Sequence, residues 1–538
     1  MTAVESAPPT IKIVIADALP DSAAELLRAE GWTVDSLAGR PRDELLQALK
    51  DADGLIIRST TRVDASLIEL APRLRVVARA GTGVDNVDLD AASARGILVL
   101  NAPGANSISV AEHTCALMLT LGRSIALADT AMKDGRWTKQ ELLGTELRGK
   151  TLGLVGLGRV GQEVAVRAHA FGMRVIALDP FIKEGVAGDL GVALVSLDEL
   201  CAQSDFISLH VPATDSTRQM FDADQLAKCK PGLRLINTAR GDLIDEAALA
   251  DAIEAGRIGG AGLDVFTTEP PTDRRLVSLS QVVATPHIAG ATAEAQQLVG
   301  EETAASVRDY LRSGLVRNAV NFPSIPPEAL KRLHPFVQLA DKLGALLAQL
   351  ATGRTHGVSI RYYGTLATGD NEPLVGAVLT GLFRTMLSEV VTPINARAVT
   401  EARGIEVVES RSSRARDFPS LLSVKLHTSE GDLWLEGAIF EHGGPRLVLL
   451  DGVEIEAGLE GTLIVIRNLD QPGVIGVIGT ILGERRINIA SFALGRGPGG
   501  AVSVVSVDAP TDDDGVSDTV LDALRAVPAI NAATIVRI

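Results

Sequence analysis

At 538 residues and 46% hydrophobic content, the chain can bury more than one core, and its length predicts three or four domains. A net charge of −16 speaks against nucleic acid or an anionic membrane as partner, although a few local arginines can still hold a small anionic substrate. The three cysteines, Cys115, Cys201 and Cys229, have no metal-ligand spacing, the first ten residues do not resemble a signal peptide, and no apolar run is long enough to span a bilayer, so a reducing, cytoplasmic setting without a metal is expected.

Residues 11–16 read as a strand, and helices and strands alternate from there to about residue 101, which implies a doubly wound parallel sheet. Arg58 and Arg79 each close an apolar run, 54–57 and 76–78, and so fall at strand ends. The amphipathic stretch 107–133 is then the crossover to a second domain. That domain opens with the apolar run 151–155, the turn Gly156-Leu157-Gly158-Arg159-Val160-Gly161 and helical spacing over 162–171. Gly156 permits a tight turn, Gly158 the close approach of a pyrophosphate, and Gly161 the packing of helix on strand. A second strand, 174–178, ends at Asp179, about 18 residues after the last glycine, close to the spacing for a ribose-binding acid. Its carboxylate would repel a 2′-phosphate, which favours NAD over NADP. The alternative is that the glycines serve a tight turn and Asp179 merely ends a strand.

Three later apolar runs end in chemically useful groups. Arg240 follows 235–239, Glu269 lies in the proline-containing loop after 262–266, and His287 follows 282–286. Singly, each has an ordinary reading: a solvated loop arginine, an exposed loop acid, a satisfied core histidine. Together, downstream of a dinucleotide turn, they are the parts needed to oxidise an alcohol beside a carboxylate.

A helix over 292–311 is expected to return to the first domain, with a proline-rich linker at 318–327 and a helix over 328–351. Strands are read at 424–428, 433–440 and 446–450, but residues 321–456 carry no interpretable motif. The last segment reads as strand 461–469, helix 474–486, strands 489–494 and 501–509, helix 516–527 and strand 530–538, a ferredoxin-like βαββαβ unit.

The glycine turn, Asn237-Thr238-Ala239-Arg240-Gly241, Asp264-Val265-Phe266 with Glu269-Pro270, and Pro286-His287-Ile288-Ala289-Gly290 together resemble the D-isomer-specific 2-hydroxyacid dehydrogenases. Stretches 53–59, 79–86 and 101–107 are similar to the branch acting on 3-phospho-D-glycerate, over roughly residues 10–320. The resemblance implies a flavodoxin-like substrate domain (1–102 and 291–320), a Rossmann-type NAD domain (103–290), an α+β intervening domain (321–456) and a C-terminal ACT domain (457–538). The intervening domain would be either a second anion site or a spacer.

By the same resemblance, Arg240 would hold the substrate carboxylate, His287 would take the C2 hydroxyl proton and Glu269 would orient the imidazole. Gly156, Gly158, Arg159, Val160, Gly161 and Asp179 would contact the phosphates and adenine ribose of NAD, with Thr82, Thr238, Ala239, Asp264 and Gly290 around the nicotinamide. Arg58, Ser59, Arg79, Gly83 and Lys139 would bind the phosphorylated substrate. Asp470 and Asn488 match an amino-acid-binding signature, implying L-serine as effector between two ACT domains; the alternative is a dimerisation module without ligand. A dimeric core, assembled to a tetramer, is expected. Two other readings stay open: a dehydrogenase of another D-2-hydroxy acid, and a non-catalytic dinucleotide sensor, which the intact trio and the lack of a basic patch disfavour.

Overall fold

The computed structural model describes residues 10–323, 327–369, 371–387, 389–414, 416–440, 444–508 and 518–538. Four sheets organise them. The first places Thr33–Ser36, Lys12–Ile15, Gly54–Ile57, Val76–Arg79 and Leu98–Leu100 side by side in that order, all parallel, which is the flavodoxin-like arrangement. Its central strands read as continuous apolar runs because helices cover both faces: Gly54–Ile57 is buried at every residue. The late helix Ala293–Ser313, capped by the Thr292 side chain, packs Ala304, Val307 and Leu311 into this core, so the first domain is built from two separated pieces of chain.

The second sheet runs Val282–Ala284, Ile258–Leu263, Leu233–Asn237, Phe206–Leu209, Thr151–Val155, Arg174–Leu178 and Ala193–Leu194, again all parallel. Strand order reverses beside Thr151–Val155, and the crevice there, beyond the strands' carboxyl ends, is where such sheets bind ligands. The crossover over 107–133 is not one helix. It breaks at Ser124, whose φ is +50°, into Ser107–Arg123 and Ile125–Lys133, bent by 67°. At the break the Thr145 amide donates to the Gly122 carbonyl at 2.6 Å, tying the following loop into the bend. No single helix among the described residues is long and apolar enough to cross a membrane, and the bent pair passes that test by length and composition only.

The third sheet is mixed: Glu406–Ser412 runs parallel to Thr355–Gly364, and Ser420–Thr428, Gly431–Phe440, Gly444–Leu450 and Val453–Gly458 continue it antiparallel. Helices Pro327–Leu350 and Glu372–Arg384 cover it. They approach closely through glycines: a methyl group at Gly344 would lie 2.1 Å from the Val378 carbonyl oxygen, and one at Gly381 2.0 Å from that of Asp341. The final sheet, Ile489–Gly497, Gly500–Val507, Thr462–Asn468 and Ile530–Arg537, is antiparallel with helices Val474–Glu484 and Asp518–Arg525, the expected βαββαβ unit. The expected start of the second helix, 516–517, and the strand end at 509 lie outside the described residues, as do 324–326 of the linker.

These last two units share a core. Ile464 and Ile466 pack with Ile478 and Leu482 of the helix Val474–Glu484, whereas Leu463, Val465, Val502, Val504 and Val536 join the core of the third sheet. The third sheet also reaches Gly458, which pairs with Arg446, two residues past the expected boundary.

Candidate active site

Each glycine of the dinucleotide turn has a distinct surrounding. Gly156 adopts φ +95°, where a side chain would be strained and would also meet the His210 carbonyl oxygen at 2.7 Å. A methyl group at Gly161 would lie 2.2 Å from the Gly156 carbonyl oxygen, so its absence sets how closely the helix Arg159–Ala170 approaches the strand. At Gly158 the same group would meet nothing within 4 Å, leaving open space above the helix start, where bare amides can receive a pyrophosphate. Asp179 accepts the Leu157 amide at 2.8 Å and the Phe181 amide at 2.9 Å, fixing its carboxylate against the turn. These features fit a bound dinucleotide. Arg159 reaches across to the Pro103 carbonyl in the crossover from the first domain, and Val160 is half-buried behind it.

The three later residues converge through one loop. Glu269 accepts the Phe266 amide through Oε1 at 3.1 Å and meets His287 Nδ1 through Oε2 at 2.7 Å. Gly241, next to Arg240, abuts that same loop so closely that a methyl group would lie 2.0 Å from the Phe266 carbonyl carbon. Asn237 shapes the arginine's turn, donating to the Arg240 carbonyl at 2.7 Å and accepting the Ala239 amide at 3.0 Å. His287 sits at φ +54°, with its amide donating to the Asp264 carbonyl at 2.8 Å.

A cluster of arginines spans the two domains. Arg240 reaches the first domain, where its Nε lies 3.2 Å from Asp85 Oδ2, and a methyl group at Gly83 would come within 1.9 Å of its Nη2. Gly83 therefore makes room for the guanidinium. Arg79 is largely buried, its Nε has no hydrogen-bond partner, and burial followed by the positive charges of Arg240 and Arg58 holds its guanidinium below its ordinary value despite Asp85 and Asp17. The Arg58 backbone is fixed from both sides, its amide donating to Asp17 at 2.6 Å and its carbonyl accepting from Asn86 at 2.6 Å. Ser59 next to it is exposed.

Other sequence-expected residues occupy different settings. Thr82 donates to Asn106 at 3.1 Å, and Gly290 abuts the same Asn106. Asp264 and Thr238, expected around the nicotinamide, turn their polar atoms inward. Asp264 is fully buried and accepts the Thr285 hydroxyl at 2.5 Å and the Ile288 and Ala289 amides at 2.9 and 2.8 Å. Burial opposes its ionisation, yet those hydrogen bonds and His113 hold its carboxyl below the usual carboxylate range. The Thr238 hydroxyl pairs with Thr114 at 2.9 Å. Both residues thus shape loops through buried contacts. Lys139 is exposed and, among the described residues, makes no hydrogen bond or ion pair. The sequence pattern does not single out His113, Asp85 or Asn237 as site residues, because each joins the site through contacts formed only in the fold.

In the C-terminal unit, Asp470 Oδ1 lies 3.3 Å from Arg496 Nε, and Asn488 donates to Asp508 at 2.5 Å. The two expected effector residues are therefore engaged within their own unit.

Fold and sequence now define a class. Residues 115–289 match the NAD-binding domain of the D-isomer specific 2-hydroxyacid dehydrogenases, so the chain is an NAD-dependent oxidoreductase of that class. Among solved structures, the TT0316 protein from Thermus thermophilus is 38% identical and covers 58% of this chain and 100% of its own, with a TM-score of 0.53. D-lactate dehydrogenase from Aquifex aeolicus, complexed with NAD and lactic acid, is 31% identical with the same two coverages and a TM-score of 0.52. Residues 332–451 match the D-3-phosphoglycerate dehydrogenase intervening domain. The chain belongs to the D-3-phosphoglycerate dehydrogenase family: the protein of that name from Methanocaldococcus jannaschii is 40% identical over 98% of this chain and 100% of its own length, and that from Mycobacterium leprae 42% identical over 93% and 95%.

Proposed function

We propose that this protein oxidises 3-phospho-D-glycerate to 3-phosphooxypyruvate with NAD, as the first step of L-serine formation. The observation that carries the proposal is the 2.7 Å pair between Glu269 and His287 Nδ1 beside the cluster of Arg58, Arg79 and Arg240. A carboxylate at Nδ1 selects the tautomer whose Nε2 lone pair can accept a proton, and it stabilises the imidazolium that follows. His287 takes the C2 hydroxyl proton, and Arg240 holds the substrate carboxylate with its planar fork. NAD, when bound, accepts the hydride from C2. Gly156, Gly158 and Gly161, with the amides at the start of Arg159–Ala170, would hold its pyrophosphate, and Asp179 its ribose.

Two guanidinium groups beyond Arg240 exceed what a simple 2-hydroxy acid needs, and the partly uncompensated charge at Arg79 would be relieved by a phosphate. The experiment is NADH formation from NAD with 3-phosphoglycerate against D-glycerate, with product removed. Preference for D-glycerate would replace the substrate assignment by that of another D-2-hydroxy acid.

L-serine as effector and a homo-oligomer belong to the same proposal. Serine's ammonium would take Asp470 from Arg496, and its polar atoms Asn488 from Asp508. Exposed Ile125, Leu127, Met132, Trp137 and Leu143 along and after the crossover helix supply an apolar face suited to a second copy. The three free cysteines accord with a cytoplasmic, reducing setting. If millimolar serine changes neither rate nor Tm, the effector assignment fails.

A further inference from the structure

His113 lies on the buried side of the crossover helix Ser107–Arg123, whose neighbouring core residues are Ala111, Thr114 and Cys115. Its Nε2 is 3.0 Å from Thr285 Oγ1 and 3.5 Å from Asp264 Oδ1. The proton positions follow from donor counting. Asp264 already accepts two backbone amides, and the Thr285 hydroxyl gives it its single proton at 2.5 Å. The Thr285 oxygen can then only accept from His113, so Nε2 carries a proton and the relay runs His113 to Thr285 to Asp264. The amides that Asp264 receives belong to Ile288 and Ala289, the two residues after His287. The His287 amide itself bonds the Asp264 carbonyl, at a φ of +54° that a non-glycine residue adopts only when its surroundings impose it.

We propose that His113 is a positioning residue for the reaction: by donating through Nε2 into the Thr285–Asp264 pair, it completes the brace that holds the His287 loop and so aims the His287 imidazole. This rests on the reading of His287 as the proton acceptor. His113 touches neither substrate nor cofactor in this role. The Thr285 oxygen, half-withdrawn from water, loses its donor when His113 is replaced, which costs free energy that the loop relieves by shifting; displacement of about 1 Å at a reacting group can lower a rate on the order of 10²-fold.

The test uses the full-length enzyme and compares wild type with His113→Leu, His113→Gln, Thr285→Val and the double variant His113→Leu/Thr285→Val. Glutamine can present an N–H donor near the Nε2 position, whereas leucine fills space without one. His113→Leu is expected to lower kcat about 10- to 100-fold with a KM for NAD within about threefold of wild type, and to raise the primary deuterium isotope effect of C2-deuterated substrate. His113→Gln is expected to recover most of kcat. Thr285→Val should match His113→Leu, and the double variant should lose little more than either single one, because both break one relay. Unchanged kcat in His113→Leu, failure of a folded His113→Gln to recover it, or additive losses in the double variant would each overturn the proposal. Wild-type enzyme inactive on 3-phosphoglycerate and D-glycerate alike would instead sink the reading of the site on which the proposal rests.

Discussion

The residues of the site divide by what each must do electrically. Arg79 supplies charge that Asp85 and Asp17 only partly offset, because burial and two like charges press on it. Arg79→Ala is expected to raise KM for 3-phosphoglycerate about 10- to 100-fold, the value of one or two charge-assisted hydrogen bonds, and to leave turnover of D-glycerate nearly unchanged; equal losses on both acids would remove Arg79 from phosphate binding. Glu269→Ala deletes the partner of His287 and should cost about 10²-fold in kcat, with little effect on NAD binding. His210 governs a different property. It lies beside the glycine turn, its Nε2 2.9 Å from Ser208, and burial pushes its imidazole down to about 4 from the ordinary 6.5. The folded state therefore keeps it neutral while the unfolded chain takes up a proton near 6.5. Its contribution to stability is whole above that pH and falls as pH drops toward about 4, by at most about 1.4 kcal/mol per unit. Tm measured against pH should show this acid limb shrink in His210→Gln.

At the scale of elements, the glycine turn offers a paired test. Gly158 is extended, with φ −72° and ψ −163°, and has open space around it, so Gly158→Ala should keep the wild-type Tm yet weaken NAD binding about tenfold. Gly161→Ala pushes a methyl group onto the Gly156 carbonyl and should destabilise by about 1–3 kcal/mol. The reverse pattern would mean the turn is not the phosphate cradle. The elements most legible in the sequence are this turn and the strands around it. Strands buried on both faces become apolar runs, and a turn with three glycines before a helix has few other uses. The intervening unit was harder to read for physical reasons. Glu406–Ser412 is a largely exposed edge strand rich in polar residues, and Glu372–Arg384 is buried almost all round, which erases helical periodicity. The break at Ser124 depends on a contact with the distant Thr145 loop, and the roles of Asp264 and His113 depend on tertiary contacts that no local pattern encodes.

In the whole molecule the chain forms two bodies of different kinds. The two parallel sheets frame the site between them, while the third and fourth sheets merge through Leu463, Val465, Val502 and Val504 into one core. The bodies touch through polar contacts, such as Thr392 donating to the Gly96 carbonyl at 2.9 Å, and through Ile394 packed against the core of the first sheet. Calorimetry is accordingly expected to show two transitions, only one of them raised by NAD; a single transition would show the bodies to be energetically fused. This arrangement gives an effector at Asp470 and Asn488 no direct contact with the arginine cluster, so serine would act by altering how the bodies or their copies are held. The substrate assignment turns on the cluster itself. Its sharpest measurement is the ratio of kcat/KM for 3-phosphoglycerate to that for D-glycerate in NADH formation, wild type against Arg79→Ala. A phosphate-binding cluster gives a ratio of about 10² or more in wild type that collapses toward one in the variant. A wild-type ratio near one, or a large ratio untouched by the substitution, would contradict it.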